Sequence, residues 1–217
     1  VHSQARRLGI GRACLAQLDA LARQENVALL GSLFAASADV LAFWQSCGFS
    51  TLRVGITPEA TSGSHPVLVA RALNEPGAAL LAQARQRFEH TFLIGLADSH
   101  PDLPASLVLA AWGSAQQPAP CRPDTADQLD LQHFIAGHKT YENAAAALWR
   151  YLLFWLHAHA LQALLKPEEQ TLLVGKILQK QPWDELAHRI GSSGVRDARE
   201  RLRKVLQRLQ AELGEPR

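Results

Sequence analysis

The sequence predicts an α/β segment followed by an all-α segment, and three observations carry that expectation. Two strand-like apolar runs, at 27–34 and 66–73, alternate with stretches of helical periodicity, the pattern of an α/β unit. After Pro76 only three-to-four spacing recurs, beginning with Leu80, Leu81, Ala84 and Phe88. Within that second part, GSAQQPAPCRPDTAD at 113–127 is proline-rich and polar, and reads as a linker or long surface loop. The expected domains are therefore 1–75 and 76–217, with the linker at about 113–127 in the second.

The elements follow in order. Residues 11–23 place Leu15, Leu18 and Ala22 at helical spacing. The run at 27–34 is apolar nearly throughout, which suits a strand buried on both faces of a parallel or mixed sheet. Ser37 is an N-cap residue for a short helix over 39–46, and Gly48 stops it. Residues 49–56 alternate loosely as a strand, 57–65 carry the turn residues Pro58, Ser62, Gly63 and Ser64, and PVLVARAL at 66–73 is a third strand. Beyond it, 77–96 reads as a helix, HPDLP at 100–104 breaks it, and a short helix runs to Trp112. From Leu129 onward the expectation is helical: a long apolar helix capped by Thr140, a helix from Lys166-Pro167 through Lys180, a third opened by Pro182, and a last one from Val195 to about Leu213.

Composition narrows the function classes. Apolar residues make up 47% of 217, and the net charge is only +2, so the chain is no bulk polycation. Cys14, Cys47 and Cys121 are odd in number and widely spaced with no C-x-x-C pair, which argues against a disulfide framework or metal site and for a reducing, cytoplasmic setting. The apolar stretch 144–165 carries Arg150, His157, His159 and Gln162, so it reads as a core helix with a polar rim, not a membrane span. The first residues lack a signal-peptide pattern. The chain has no methionine and opens Val1-His2 directly before its most informative segment, so it reads as the C-terminal portion of a longer protein.

That segment is Arg6-Arg7-Leu8-Gly9-Ile10-Gly11-Arg12, a basic, glycine-spaced turn running into an amphipathic helix. Glycine lets backbone approach a ligand closely. The unpaired N–H groups of the helix start, with the helix dipole behind them, favour an anion. Arg6, Arg7 and Arg12 add charge-assisted donors. The plainer reading is a turn that caps a helix.

The Arg-x-x-Gly-x-Gly spacing resembles the acetyl-CoA pyrophosphate loop of the GNAT acyltransferase superfamily. Phe43-Trp44-Gln45-Ser46-Cys47-Gly48-Phe49 resembles the aromatic-x-x-x-Gly-Phe turn that lies one strand after that loop in GNAT proteins. Arg53-Val54-Gly55 with Glu59-Ala60-Thr61-Ser62-Gly63, and Val1-His2 before the loop, are similar to the bacterial tRNA(Met) cytidine acetyltransferase family. The likeness is good to about residue 73 and looser over the helical part, where Leu173-Val174-x-Lys176-x-Leu178-Gln179-Lys180 and the Trp183 segment resemble that family's tail.

The resemblance implies the C-terminal part of a GNAT fold plus a helical, tRNA-binding tail. The implied activity is acetyl-CoA-dependent acetylation of the wobble cytidine of elongator tRNA(Met), with ATP used by an upstream helicase-like module; no Walker-type loop occurs in these residues. By the match, Val1, Arg6, Arg7, Leu8, Gly9, Ile10, Gly11 and Arg12 hold acetyl-CoA, and Asp39 takes the place of an acidic cofactor contact. Ser46 stands where the family commonly has a basic residue, and Ser3 where it has proline. With the first strands of the sheet absent, these 217 residues alone are expected to be inactive.

Acetyl transfer to a cytidine amine needs positioning, an oxyanion donor and a proton acceptor. No tyrosine precedes Tyr141, so His2 is the candidate proton shuttle, with Glu59 and His65 behind it and Cys47 set aside as a buried thiol. In the last helix Ala198, Leu202, Val205 and Leu209 share a face, while Arg196, Arg199 and Arg203 line another and Arg201, Lys204 and Arg208 a third. Leu186 to Gly194 reads as the first helix and turn of a helix-turn-helix unit. Arg196, Arg199, Arg203 and Lys204 are the candidate RNA contacts; few aromatics lie among them, which favours phosphate over base contacts. The plainer reading is a solvated helix with i,i+4 pairs. A GNAT enzyme acting on a protein or small amine, and a non-catalytic helix-turn-helix nucleic-acid-binding protein, stay open as alternatives.

Overall fold

The computed structural model describes residues 8–113, 122–159 and 161–214. Two compact units divide between Thr91 and Phe92.

In the first unit, α1 (Ile10–Gln24) leads into β1 (Leu29–Ala35), α2 (Ala38–Ser46), β2 (Ser50–Val54), β3 (Pro66–Ala72) and α3 (Glu75–Thr91). The strands form one antiparallel sheet in the order β1-β3-β2. Leu29 faces Ala72 and Phe34 faces Val67 across β1 and β3. Ser50 faces Ala70 across β2 and β3, and the register slips between Thr51 and Arg53, a bulge that bends the edge strand. The central strand is the driest, with Val67 and Val69 fully buried.

β1 departs from expectation. It is antiparallel to its neighbour, and Leu33 is 69% exposed. An apolar run marks a strand but does not name its partner or cover its faces.

Helix α3 joins this unit because it packs on all three strands. Gly77 makes that docking possible: a Cβ there would lie 1.9 Å from the carbonyl oxygen of Ala28. Of the aromatic pair of α2, Trp44 packs inward, stacked on Phe34 at 5.6 Å and edge-on to Phe49 at 4.8 Å, while Phe43 is 36% exposed.

The second unit is helical: α4 (Leu96–Ser99), α5 (Ala105–Trp112), α6 (Thr125–Ile135), α7 (Tyr141–Ala158), α8 (Leu161–Leu164), α9 (Pro167–Leu173), a π-helical turn (Val174–Leu178), α10 (Trp183–Arg189) and α11 (Val195–Leu213). The helix read at 77–96 is broken by a turn after Thr91, and the one read from Leu129 starts at Thr125. A capping box explains the earlier start: Asp124 accepts from the N–H of Asp127 at 2.8 Å, and Asp127 accepts from the N–H of Asp124 at 3.1 Å.

Helix α7 is the core helix that its sequence suggests, burying Leu148, Tyr151, Leu152 and Trp155, with Arg150 at its rim bonded to Asp127. Among the described residues no helix is long and apolar enough to cross a membrane.

The π-turn was not legible. The N–H of Gln179 reaches the carbonyl of Val174 at 2.9 Å, and every residue from Val174 to Leu178 is buried. Just beyond, the side-chain amide of Gln179 donates to the carbonyls of His100 (2.9 Å) and Leu103 (2.8 Å), which ties the 100–104 break to the helical core.

Candidate functional site

Helix α1 begins behind Gly9, whose φ of +80° is a left-handed conformation that costs an L side chain about 1–2 kcal/mol. The N–H of Ala13 bonds to the carbonyl of Gly9 at 3.0 Å. Helical geometry leaves the amides of Ile10, Gly11 and Arg12 without an acceptor inside the helix. No acidic residue occupies the first turn, and among the described residues no side chain caps it. Among the described residues, a Cβ added at Gly9 would meet nothing within 4 Å and Leu8 is 71% exposed, so none of them covers the outer side of the turn. An uncapped, acid-free helix start of this kind is electrostatically suited to an anion.

Gly11 has a different reason for being glycine. A Cβ there would lie 3.0 Å from Cζ of Phe43. The first turn of α1 therefore rests on the aromatic ring of α2.

Arg12 is held at the same junction. Its Nη2 donates to Ser46 Oγ at 3.0 Å, and Ser46 Oγ donates to the carbonyl of Phe43 at 2.7 Å. The hydroxyl hydrogen is thus spent on α2's own backbone, and a lone pair receives the guanidinium.

Asp39 is not brought to this junction. It lies exposed in the first turn of α2, at the opposite end from Ser46. Seven helical steps separate the two, about 10 Å along the axis. Val1, His2, Arg6 and Arg7 lie outside the described residues.

Several supports of α1 escaped sequence reasoning because their partners are distant in the chain. Arg71 of β3 donates to Asp19 of α1 at 2.6 Å and to the carbonyl of Cys47 at 3.0 Å, and it lies 5.1 Å from the centre of the Phe49 ring. Arg23 reaches back to the carbonyl of Leu73. These contacts fix the helix that carries the glycine turn.

The secondary proton-transfer candidates have local partners. A ring nitrogen of His65 lies 2.8 Å from the carbonyl of Gly55, and Glu59 closes its own loop, its carbonyl accepting from the N–H of Gly63 at 2.8 Å.

In the second unit α10 is followed by a turn at 190–194 and by α11, and the two helices pack on each other. The apolar face of α11 buries Ala198, Leu202, Val205, Leu206 and Leu209. The remaining faces are not uniformly solvated. Arg201 pairs with Asp197 at 2.9 Å, and Arg208 pairs with Glu169 at 2.7 Å. The hydrogen bonds from Arg201 and from the backbone N–H of Ser193 hold the Asp197 carboxyl below the usual carboxylate range.

Of the four candidate RNA contacts, Arg196, Arg199 and Lys204 are exposed and Arg203 is half-buried. Arg199 lies over the ring of Trp183 at 5.3 Å. Arg203 lies over the ring of Phe134 at 5.4 Å and donates from Nε to the carbonyl of Phe134 at 3.0 Å. The aromatics absent from the sequence of α11 are thus supplied by α10 and α6.

The chain is 34% identical over 194 residues to the tRNA(Met) cytidine acetyltransferase TmcA of Nitrosococcus halophilus, covering 88% of this chain and 26% of that protein. It is 31% identical to the protein of the same name from Haloferax volcanii, over 86% of this chain and 24% of that protein. A third, from Haloarcula marismortui, is 25% identical over 99% of this chain and 28% of its own length. The chain thus spans about a quarter of the length of the curated relatives it matches. No family model matches it.

Proposed function

Because the chain belongs to the tRNA(Met) cytidine acetyltransferase family, we propose that it forms the part of an acetyl-CoA-dependent enzyme that holds the acyl donor at one place and tRNA at another. The proposed reaction acetylates the exocyclic amine of the wobble cytidine of elongator tRNA(Met). The unit that ends at Thr91, which takes α3 as well as the expected residues 1–75, is read as the later part of a GNAT domain, and the unit from Phe92 as the tRNA-binding tail, working in the cytoplasm. ATP use is assigned to parts of the enzyme other than these residues.

One observation carries the donor site: the open, acid-free start of α1 behind Gly9, with Arg12 held beside it by Ser46. The amides of Ile10, Gly11 and Arg12 and the Arg12 guanidinium suit the diphosphate of coenzyme A in charge and hydrogen-bonding capacity. When bound, acetyl-CoA supplies the thioester carbonyl that the cytidine N4 attacks, with loss of one amine proton and departure of the coenzyme A thiolate. The residues of this chain contribute positioning, which a neutral, weakly nucleophilic aromatic amine needs most. His2 is the candidate acceptor of the amine proton. Asp39 is assigned only to the far end of α2, away from the diphosphate.

Isothermal titration of the 217-residue chain with acetyl-CoA tests the reading. Binding that free coenzyme A competes away, and that Arg12→Ala weakens, is the expected result. Absence of binding, or binding indifferent to Arg12→Ala, would overturn the donor site.

A further inference from the structure

Three buried aromatic rings form a contiguous row beneath α11. Phe134 lies 6.4 Å from Tyr141 at 72°, and Tyr141 lies 5.5 Å from Trp183 at 85°. The rings come from α6, α7 and α10, and their relative exposures are 1%, 8% and 9%. They are therefore too buried to act as stacking platforms for a nucleobase.

Two of the rings carry arginines from α11. Arg199 covers Trp183 and Arg203 covers Phe134. The two arginines are four residues apart, about 6 Å along one helix face. Arg203 is further fixed by its Nε bond to the Phe134 carbonyl. Its guanidinium also approaches Gly137, where an added Cβ would sit 3.8 Å from Cζ and Nη1. Lys176 completes the cluster on the buried side, 5.0 Å from the Tyr141 ring and 4.8 Å from the Trp183 ring, with Nζ donating to the carbonyl of Gln181 at 2.7 Å.

A guanidinium laid on a ring has lost most of its rotamer freedom before any ligand arrives. Its outer Nη groups can make planar, forked contacts once the long 3.5 Å contact of Arg203 Nη1 to Glu200 is exchanged for a ligand. A lysine ammonium at the same place would keep the charge and lose the plane. Carboxylates lie nearby: Glu200 accepts from Arg203 Nη1 at 3.5 Å, and Glu142 is held below the usual carboxylate range chiefly by its own backbone N–H, with smaller help from Thr140, Arg199 and Lys176.

Resting on the tail being a tRNA-binding module, we infer that Arg199 and Arg203 engage RNA as pre-oriented planar guanidinium groups, with Trp183 and Phe134 as their positioning residues. The RNA-facing surface is then the outer side of these two arginines, flanked on α11 by Arg196 and Lys204, whose contacts are of the plain charge type. Selectivity for a folded RNA follows from the fixed geometry of the two forks, since flexible charges would follow any phosphate chain.

Fluorescence anisotropy with an elongator tRNA(Met) transcript, measured on the full 217-residue chain over a salt series, tests this. The double variant Arg199→Lys with Arg203→Lys keeps net charge at helix-surface positions. It should bind about tenfold more weakly with the same dependence of log K on log salt, because the number of displaced counterions is unchanged. The corresponding pair of glutamate substitutions should weaken binding further and flatten the salt slope. Trp183→Phe should retain most affinity, and Trp183→Leu should lose it, with thermal melts reporting the folded fraction. Lysine variants that bind as tightly as the parent would overturn the inference while leaving the tail a tRNA-binding module. Failure of the parent chain to bind tRNA at low salt would overturn both.

Discussion

Arg12 and Ser46, 34 residues apart, are joined by a 3.0 Å hydrogen bond that ties the first turn of α1 to the last turn of α2. Ser46 steadies the arginine of the neighbouring helix. Because Ser46 passes its own proton to the carbonyl of Phe43, it accepts from Arg12 without rearrangement. Ser46→Ala should leave the fold intact and release Arg12. A surface hydrogen bond contributes about 0.5–1 kcal/mol, so affinity for acetyl-CoA should fall about two- to fivefold. Titration calorimetry reads this directly; an unchanged dissociation constant would show that Arg12 does not depend on Ser46.

The glycines make separable predictions. Gly9→Ala puts a Cβ into empty space but forces alanine into the left-handed region, for about 1–2 kcal/mol. Gly77→Ala puts a Cβ 1.9 Å from the carbonyl oxygen of Ala28, a backbone atom already accepting from the N–H of Leu73 at 3.0 Å. Helix α3 must then lift off the sheet, for about 3 kcal/mol or more. Urea denaturation should rank Gly77→Ala well below Gly9→Ala in stability. The opposite order would mean that α3 does not sit on the strands as described.

Acid sensitivity should centre on Asp127. Its carboxyl is held below the ordinary value of 3.8, chiefly by hydrogen bonds from Arg150, against the opposing effect of burial and with help from the backbone N–H of Asp124. A folded value below the unfolded one means that its stabilisation is complete above about pH 4 and is lost as pH falls through the folded value. Asp127→Asn should cost about 1.5–3 kcal/mol at neutral pH and remove that part of the acid-induced loss. Thermal melts between pH 2 and 7 would show whether the variant's curve is flatter.

These residues also mark how far the sequence alone could be read. Helix α1, helix α2 and the three strands are legible because each carries its own periodicity or turn residues. The start of α6 is not, because the Asp124–Asp127 capping box lies in a stretch that its prolines mark as loop. The π-turn leaves no trace, since its residues continue the helical run of α9 and even Lys176 is buried, so no solvent-facing side marks the change of period. At the candidate site, Gly9 is legible as a backbone requirement, whereas Gly11 is glycine because of Phe43, 32 positions later. The four basic residues of α11 look equivalent in the sequence. They separate into ring-backed and freely solvated kinds only when α6 and α10 bring Phe134 and Trp183 beneath them.

Alkaline behaviour should come from the same aromatic row, through two groups of opposite sign. Burial pushes the Tyr141 hydroxyl from 10.0 up to about 12, and Oη donates to the carbonyl of Lys176 at 2.9 Å. Between about pH 10 and 12 the unfolded chain releases this proton and the folded chain keeps it, so stability falls as pH rises. Burial pushes the Lys176 ammonium below 10.5, so between its folded value and 10.5 the unfolded chain holds more protons and stability rises with pH. The two contributions meet in a maximum near pH 10. Tyr141→Phe keeps the ring under Lys176 and strands the carbonyl, so it should cost about 1–3 kcal/mol at pH 8 while abolishing the decline above the maximum. Lys176→Met should abolish the rise below it. Denaturant titrations from pH 8 to 12 would sink the argument if Tyr141→Phe lost stability above pH 10 as steeply as the parent.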